Sequence, residues 1–196
     1  FDDFRNQVIY RLPLDEPYVA FQQQIEDPEN IAFKTPSGKI EIYSQHWAEL
    51  AQPGIPALPQ YFEGWETTSD PLAQKYPLML ITTHFRRRAL SQFENLPWIR
   101  ETQRQVVILN SVDAQARGIA EGDMVRVFND RGVMELPVRV TERIVPGVVD
   151  VPHGAWYDPD KEGVDRGGCA NVLTKDAYSP GGSFPYNTGL VQVEKV

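Results

Sequence analysis

The residues of this chain best suited to chemistry sit where short apolar runs end. Asn110 and Asp113 emerge together after the run Val106–Leu109. A carboxylate only accepts hydrogen bonds, and guanine's Watson–Crick edge offers two parallel donors, so Asp113 beside Asn110 could read a base. Both residue types also cap helices, and that plainer role fits the same spacing. A second group follows Leu78–Ile81: Thr82, Thr83 and His84, then Phe85 and three consecutive arginines, Arg86–Arg88. Hydroxyls, an imidazole and guanidinium forks could receive phosphate, with Arg87 the representative of the run, since three in a row cannot all point inwards. A solvated basic turn is the alternative. His153, Asn171 with Thr174, and Tyr186 with Asn187 repeat the pattern of polar residues flanked by Gly or Pro. This distribution suits a long, polar, phosphate-bearing ligand held across one rim of a barrel, with no covalent chemistry by the protein.

Other chemistries find less support. His46, His84 and His153 lack the close spacing of many zinc sites, although a fold can bring distant histidines together. Cys169 is the single cysteine, which rules out an internal disulfide and an all-cysteine cluster. It follows Gly167-Gly168 and reads better as a small buried residue than as a thiolate nucleophile. No G-x-S-x-G elbow, G-x-G-x-x-G or P-loop pattern is present. Glu121 and Asp123 are turn residues.

The elements that must position these groups are short. Strands are expected at Leu78–Ile81, Val106–Leu109, Met124–Phe128, Val133–Val140, Val148–Val151 and Leu190–Val193. Asn110 or Ser111 should cap a helix that Gly118 ends in the left-handed conformation. Asn129-Asp130-Arg131-Gly132 reads as a hairpin turn. Met134, Leu136, Val138 and Val140 share one face of their strand, and Pro137 on the other implies an edge or a bulge. Leu90–Arg104 should hold a short helix or ordered loop. Ser179–Gly182 and Pro185–Asn187 read as loops. Many short strands between Gly and Pro turns, with few helices, indicate a mainly β protein built as a closed β-barrel rather than a doubly wound sheet.

Residues 1–76 differ in texture. Nine of the sixteen prolines fall within residues 1–77, each pushing the backbone towards extended or turn conformations. Lys39–Tyr43 alternates well enough for a strand, and Gln45–Ala51 could be a short helix. The segment reads as an extended Pro-rich connecting arm that needs a neighbouring domain to lie against, with the barrel occupying 77–196. The chain opens on Phe1 rather than Met, with no signal-like segment, and is expected to be a piece of a longer polypeptide. A net charge of -8 argues against nucleic acid or an anionic membrane surface as partner. No apolar run approaches the roughly 20 residues of a spanning helix.

Six stretches in order carry a resemblance: TPSGKIEIYS (35–44), LMLITTHFRRRALSQFENLPW (78–98), LNSVDAQARGIAEGDMVRVFNDRG (109–132), VPGVVDVPHGAW (145–156), ANVLT (170–174) and SPGGSFPYN (179–187). Together they resemble the C-terminal region of molybdopterin oxidoreductases, within that superfamily the anaerobic dimethyl sulfoxide reductase branch of catalytic subunits. The resemblance implies a double-psi β-barrel of the aspartate-decarboxylase-like kind that closes over bis(molybdopterin guanine dinucleotide). It implies the guanosine end for Asn110 and Asp113, and pterin or pyrophosphate for the Thr82–Arg88 turn with Thr83, His84 and Arg87. His153, Asn171, Tyr186 and Asn187 would lie near pterin or phosphates. The molybdenum ligand and the N-terminal iron–sulfur cysteines belong to regions outside this chain, so the fragment alone should be catalytically inert. The implied parent transfers an oxygen atom from an S-oxide or N-oxide, with the metal carrying the chemistry. Its partners would be the remaining domains of the subunit, an iron–sulfur electron-transfer subunit and a membrane anchor. The parent would be exported by the twin-arginine route to the periplasmic or outer face of the membrane. Arg86–Arg88 is not that signal, being internal with no apolar region after it. Two rivals are a free-standing barrel adaptor for peptides or proteins, and a small decarboxylase-like or hydrolytic enzyme on a similar barrel.

Overall fold

The structure, a computed structural model, describes residues 1–179 and 181–196. Pro180, part of the expected Ser179–Gly182 loop, lies outside the described residues. The chain divides into two compact units, Phe1–Gln60 and Tyr61–Val196.

The first unit holds three short helices, α1 (Asp2–Gln7), α2 (Gln22–Glu26) and α3 (Gln45–Leu50). Ser44 caps α3 by accepting from Trp47 N at 3.3 Å. No residue of this unit is buried. The alternating segment Lys39–Tyr43 is not a strand, which corrects the reading of its pattern. Ile40 and Ile42 stay exposed, and Thr35 Oγ1 and the Ser37 N–H bond instead to Lys39 O and Glu41. Alternation yields a strand only where a second strand is present to satisfy its N–H and C=O groups.

The second unit is a closed six-stranded barrel. Its strands are β1 (Leu78–Ile81), β2 (Val107–Leu109), β3 (Met124–Phe128), β4 (Val133–Val140), β5 (Val148–Asp150) and β6 (Gly189–Lys195). The order around the barrel is β1-β5-β2-β4-β3-β6. Two pairs run parallel, β1 with β5 and β2 with β4, and the other four antiparallel. This mixed closed barrel is the double-psi class that the resemblance implied. Its core comes from alternate strand positions, with Leu80, Leu109, Val127, Met134, Val149 and Val191 all fully or nearly fully buried.

Closure leaves no sheet edge for Pro137, but the other alternative its position implied, a bulge, is present: Gly122 N, at φ 81°, donates to Val138 O at 2.9 Å, so Gly122 and Asp123 both face Val138. Pro137 instead takes the last β3–β4 pairing, opposite Met124, and Val138 N donates to Asp123 O at 2.8 Å. The missing proline N–H is thus never required. Helix α4 (Pro97–Thr102) falls within the expected 90–104 segment, and α5 (Ser111–Ala116) follows β2. Gly118 ends α5 at φ 64°, as its place after the helix suggested.

Candidate functional site

The pairing of β1 with β5 does not stop at the strand ends. Val151 N donates to Ile81 O at 3.1 Å and His153 N to Thr83 O at 2.9 Å, so the register Ile81↔Asp150 runs on to an isolated bridge at His84↔His153. Parallel pairing puts side chains of equal register next to each other, and two histidines 69 positions apart meet. His153 Nε2 lies 3.1 Å from His84 Nδ1, and His153 Nδ1 lies 2.9 Å from Thr82 O. His84 is exposed and His153 half-buried.

Neighbouring groups fix this end of the barrel. Asp150, buried, accepts from Thr83 N at 3.0 Å and from Thr83 Oγ1 at 2.7 Å. Burial pushes its carboxyl above the ordinary carboxylate range, while the Thr83 N–H, the Thr83 hydroxyl and the His153 charge act the other way. Asn187 Oδ1 accepts from Thr82 N at 2.8 Å, leaving both amide N–H donors of Asn187 without a partner among the described residues. The Tyr186 ring centroid sits 6.3 Å from that of His153. Tyr186 also lines a cleft of about 510 Å³ with Asn171, Thr174, Lys175, Asp176 and Phe184.

The loop after His84 packs against residues 153–156, and its anchor is Arg88. The Arg88 guanidinium pairs with Glu94, donates to Gln105 Oε1 at 2.8 Å and to His153 O at 3.5 Å, and lies 3.8 Å over the Phe85 ring. Gly154, at φ +97°, lets Leu90 O approach so closely that a Cβ would sit 2.1 Å from it. Arg87 is exposed, with no bond among the described residues. Asn171 is presented by a short 3-10 turn, Ala170–Val172. That turn is held by Asp165, fully buried, whose oxygens accept from the backbone N–H groups of Asp158, Gly167, Gly168 and Cys169. Burial pushes the Cys169 thiol up, and the Asp165 charge adds to this, so it is unlike a thiolate nucleophile.

The expected site residues therefore fall into two groups rather than along one rim. Thr83, His84, His153, Tyr186 and Asn187 come together where β5 ends, with Asn171 joined to them through the cleft. Asn110 and Asp113 lie where β5 begins, since Leu109 pairs with Val149 in an antiparallel sense. The six residue steps from Gly147 to His153 separate the groups by roughly 20 Å of extended chain. Asn110, buried, caps α5 by accepting from Val112 N at 2.8 Å and donates to Ile144 O at 2.6 Å. Asp113 accepts from Gly147 N at 2.7 Å and faces Arg117 Nη1 at 3.6 Å, its side chain 14% exposed. Oδ2 of Asp113 is taken by Gly147 N, while Oδ1 accepts no hydrogen bond among the described residues.

Sequence reasoning missed Asp150, Arg88, Gln105 and Asp165. For Asp150 and Asp165 a signal existed: each is a carboxylate inside a segment read as strand or loop, and a buried carboxylate must organise donors around itself.

Comparison with known proteins gives a consistent picture. The family model described as "Molydopterin dinucleotide binding domain" matches residues 78–188. Dimethyl sulfoxide reductase DmsA of Escherichia coli (strain K12) is 45% identical over the whole chain, which spans 25% of that relative. Trimethylamine-N-oxide reductase 1 of the same strain is 39% identical, again over the whole chain and 24% of the relative. Acetylene hydratase from Pelobacter acetylenicus superposes with a TM-score of 0.71 at 28% identity, covering 86% of this chain and 25% of that one. The chain thus spans about a quarter of the length of the curated relatives it matches.

Proposed function

The chain belongs to the molybdopterin dinucleotide binding domain family, and from that premise we propose that the end of the barrel around His84 and His153 holds the phosphate and pterin portion of the dinucleotide. One observation carries this reading: Thr83, His84, His153, Asn171, Tyr186 and Asn187 all fall inside the matched span 78–188 and share one polar end of the barrel. The donor set suits the group. The Asn187 amide, the exposed Arg86 and Arg87, and Lys175 on the cleft can meet phosphate oxygens, while Tyr186 offers a ring beside a planar pterin. Asn110 we assign to fastening α5 against the turn before β5, and Asp113 to the same turn through Gly147 N, on the bonds these side chains already make there.

In the longer parent we propose bis(molybdopterin guanine dinucleotide) carrying molybdenum, which when bound supplies two-electron oxygen-atom transfer from an S-oxide or N-oxide. The chain's residues bind and orient that group and perform no bond-making of their own. The similarity to dimethyl sulfoxide reductase DmsA supports a catalytic subunit whose partners are its own remaining domains, an iron–sulfur electron-transfer subunit and a membrane anchor. We extend the proposal to export of the parent by the twin-arginine route and a membrane-associated site on the periplasmic or outer face. Among the described residues no helix is long and apolar enough to cross a membrane. Residues 1–60, with no buried side chain of their own, fit a connecting arm that lies against those other domains.

Titration of the labelled chain with GDP and with ADP, followed by amide NMR, tests the site. The expected shifts cluster at Thr83, His84, His153, Gly154 and Asn187 and persist in Asp113→Ala. Guanine-selective shifts confined to 110–113 and abolished by Asp113→Ala would return the base-reading role to that carboxylate and overturn the assignment.

A further inference from the structure

We infer that the His84–His153 pair is a proton-linked anion subsite, taking up one proton when a pyrophosphate diester binds beside His84. The inference rests on the cofactor reading above and adds how that site is regulated.

The argument follows from hydrogen positions. Thr82 O is a carbonyl and can only accept, so His153 Nδ1, 2.9 Å away, carries hydrogen in every protonation state. In the neutral pair His153 Nε2 is then a lone pair. Its 3.1 Å contact requires His84 Nδ1 to be the donor. Neutral His84 is left with a lone pair on Nε2, and an anion placed there meets repulsion. One proton from solvent reverses this. His153, now doubly protonated, donates through Nε2–H to His84 Nδ1, and the hydrogen of His84 moves to Nε2. The outward atom of an exposed imidazole has changed from acceptor to donor, and the pair carries one positive charge. A second proton would set two N–H groups face to face, so the pair takes up one and not two.

The surrounding charges are compatible with this. From β5, Asp150 faces His153 and favours its cation, although its carboxylate is bonded to Thr83. From the loop after His84, Arg88 donates to His153 O, and Glu94 balances its charge. Tyr186 approaches from the segment before β6, and Arg86 and Arg87 are exposed on the chain after His84. An anion bound there stabilises the protonated pair, so affinity is greatest at low pH and lost as pH rises.

GDP-mannose is the suitable probe, because its pyrophosphate diester has no terminal phosphate ionisation near pH 6 to confuse the proton count. Long-range ¹H–¹⁵N spectra of the histidine rings should show Nδ1–H on both residues at about pH 8, and one shared proton taken up by about pH 5.5. Over the same range the Kd for GDP-mannose should tighten about fivefold to tenfold in the native chain. It should be independent of pH in His84→Asn, an exposed position where folding is retained, and in His153→Gln. Binding that is equally strong at both pH values overturns the proton link alone. Absence of binding at either pH overturns the cofactor reading and the link with it, and an Nε2–H tautomer for neutral His153 overturns the link without any ligand.

Discussion

Arg88 holds the loop after His84 against residues 153–156, and Arg88→Met measures how firmly. The Arg88 side chain is 2% exposed and that of its partner Glu94 9%. Removing one member of a buried ion pair leaves an uncompensated charge and costs about 3–5 kcal/mol. The stacking on Phe85 and the bond to Gln105 belong inside that figure, because groups in one network do not contribute additively. Arg88 Nε is buried without a partner among the described residues, and methionine relieves that defect while keeping much of the volume. The expected loss therefore lies towards the lower end, about 3 kcal/mol, or a fall in Tm of roughly 6–12 °C for a chain of this size. Urea unfolding followed by tryptophan fluorescence reads it. Arg87→Met, at an exposed position, should stay within about 0.5 kcal/mol of the native chain. Arg88→Met with Glu94→Leu should recover most of the loss, since an apolar pair can replace a buried ionic one. If Arg88→Met and Arg87→Met unfold at the same midpoint, or the double variant is worse than both single losses combined, the buried pair does not anchor the loop.

Glu66 accepts from both Arg131 Nη1 (2.6 Å) and Nη2 (2.7 Å) and from Leu190 N. Burial works against its charge, but the Arg131 bonds and charge prevail and hold its carboxyl below the ordinary range, so its contribution is present above about pH 4.3 and fades as pH falls through the lowered value. Glu66→Gln should thus lose stability at neutral pH and show a flatter acid limb in urea midpoints taken from about pH 7 to about pH 3; curves parallel to the native ones would refute this. Gly154→Ala forces a Cβ to within 2.1 Å of Leu90 O at φ +97° and should cost about 2–4 kcal/mol, with faster hydrogen exchange at Leu90 and Ser91. Gly147→Ala, at φ +82° with nothing within 4 Å, should cost only about 1 kcal/mol, and equal losses at the two glycines would show that the close approach is unimportant.

Much of the barrel was legible because its strands are short apolar runs closed by turn residues. β1, β3 and β4 fall on the expected spans to the residue, and β2 and β5 differ by one position at an end. Lys39–Tyr43 misled because alternation reports a surface suited to a sheet, not the presence of a partner strand. Pro137 read as an edge or a bulge, and closure removes the edge but keeps the bulge, with Gly122 and Asp123 both facing Val138. The choice among Arg86, Arg87 and Arg88 was illegible, since it depends on Glu94 and Gln105 waiting on one side of the chain.

The site shows the same division between local and tertiary information. Thr83, His84 and His153 could be singled out as polar groups ending apolar runs, a property of each segment alone. Their meeting depends on a parallel register, which no local pattern encodes, and the same register sends Asn110 and Asp113 to the start of β5. Length explains why one rim could not hold them all. β2 enters antiparallel to β5, so the end of β2 and the end of β5 must face opposite ways in any closed barrel with this order. A ligand contacting both groups would have to run along the wall for roughly 20 Å, past partners already engaged at Asp113. On the function proposed above, the end where β1 and β5 finish together gathers the free donors, and the end where β2 finishes beside the start of β5 fastens a helix.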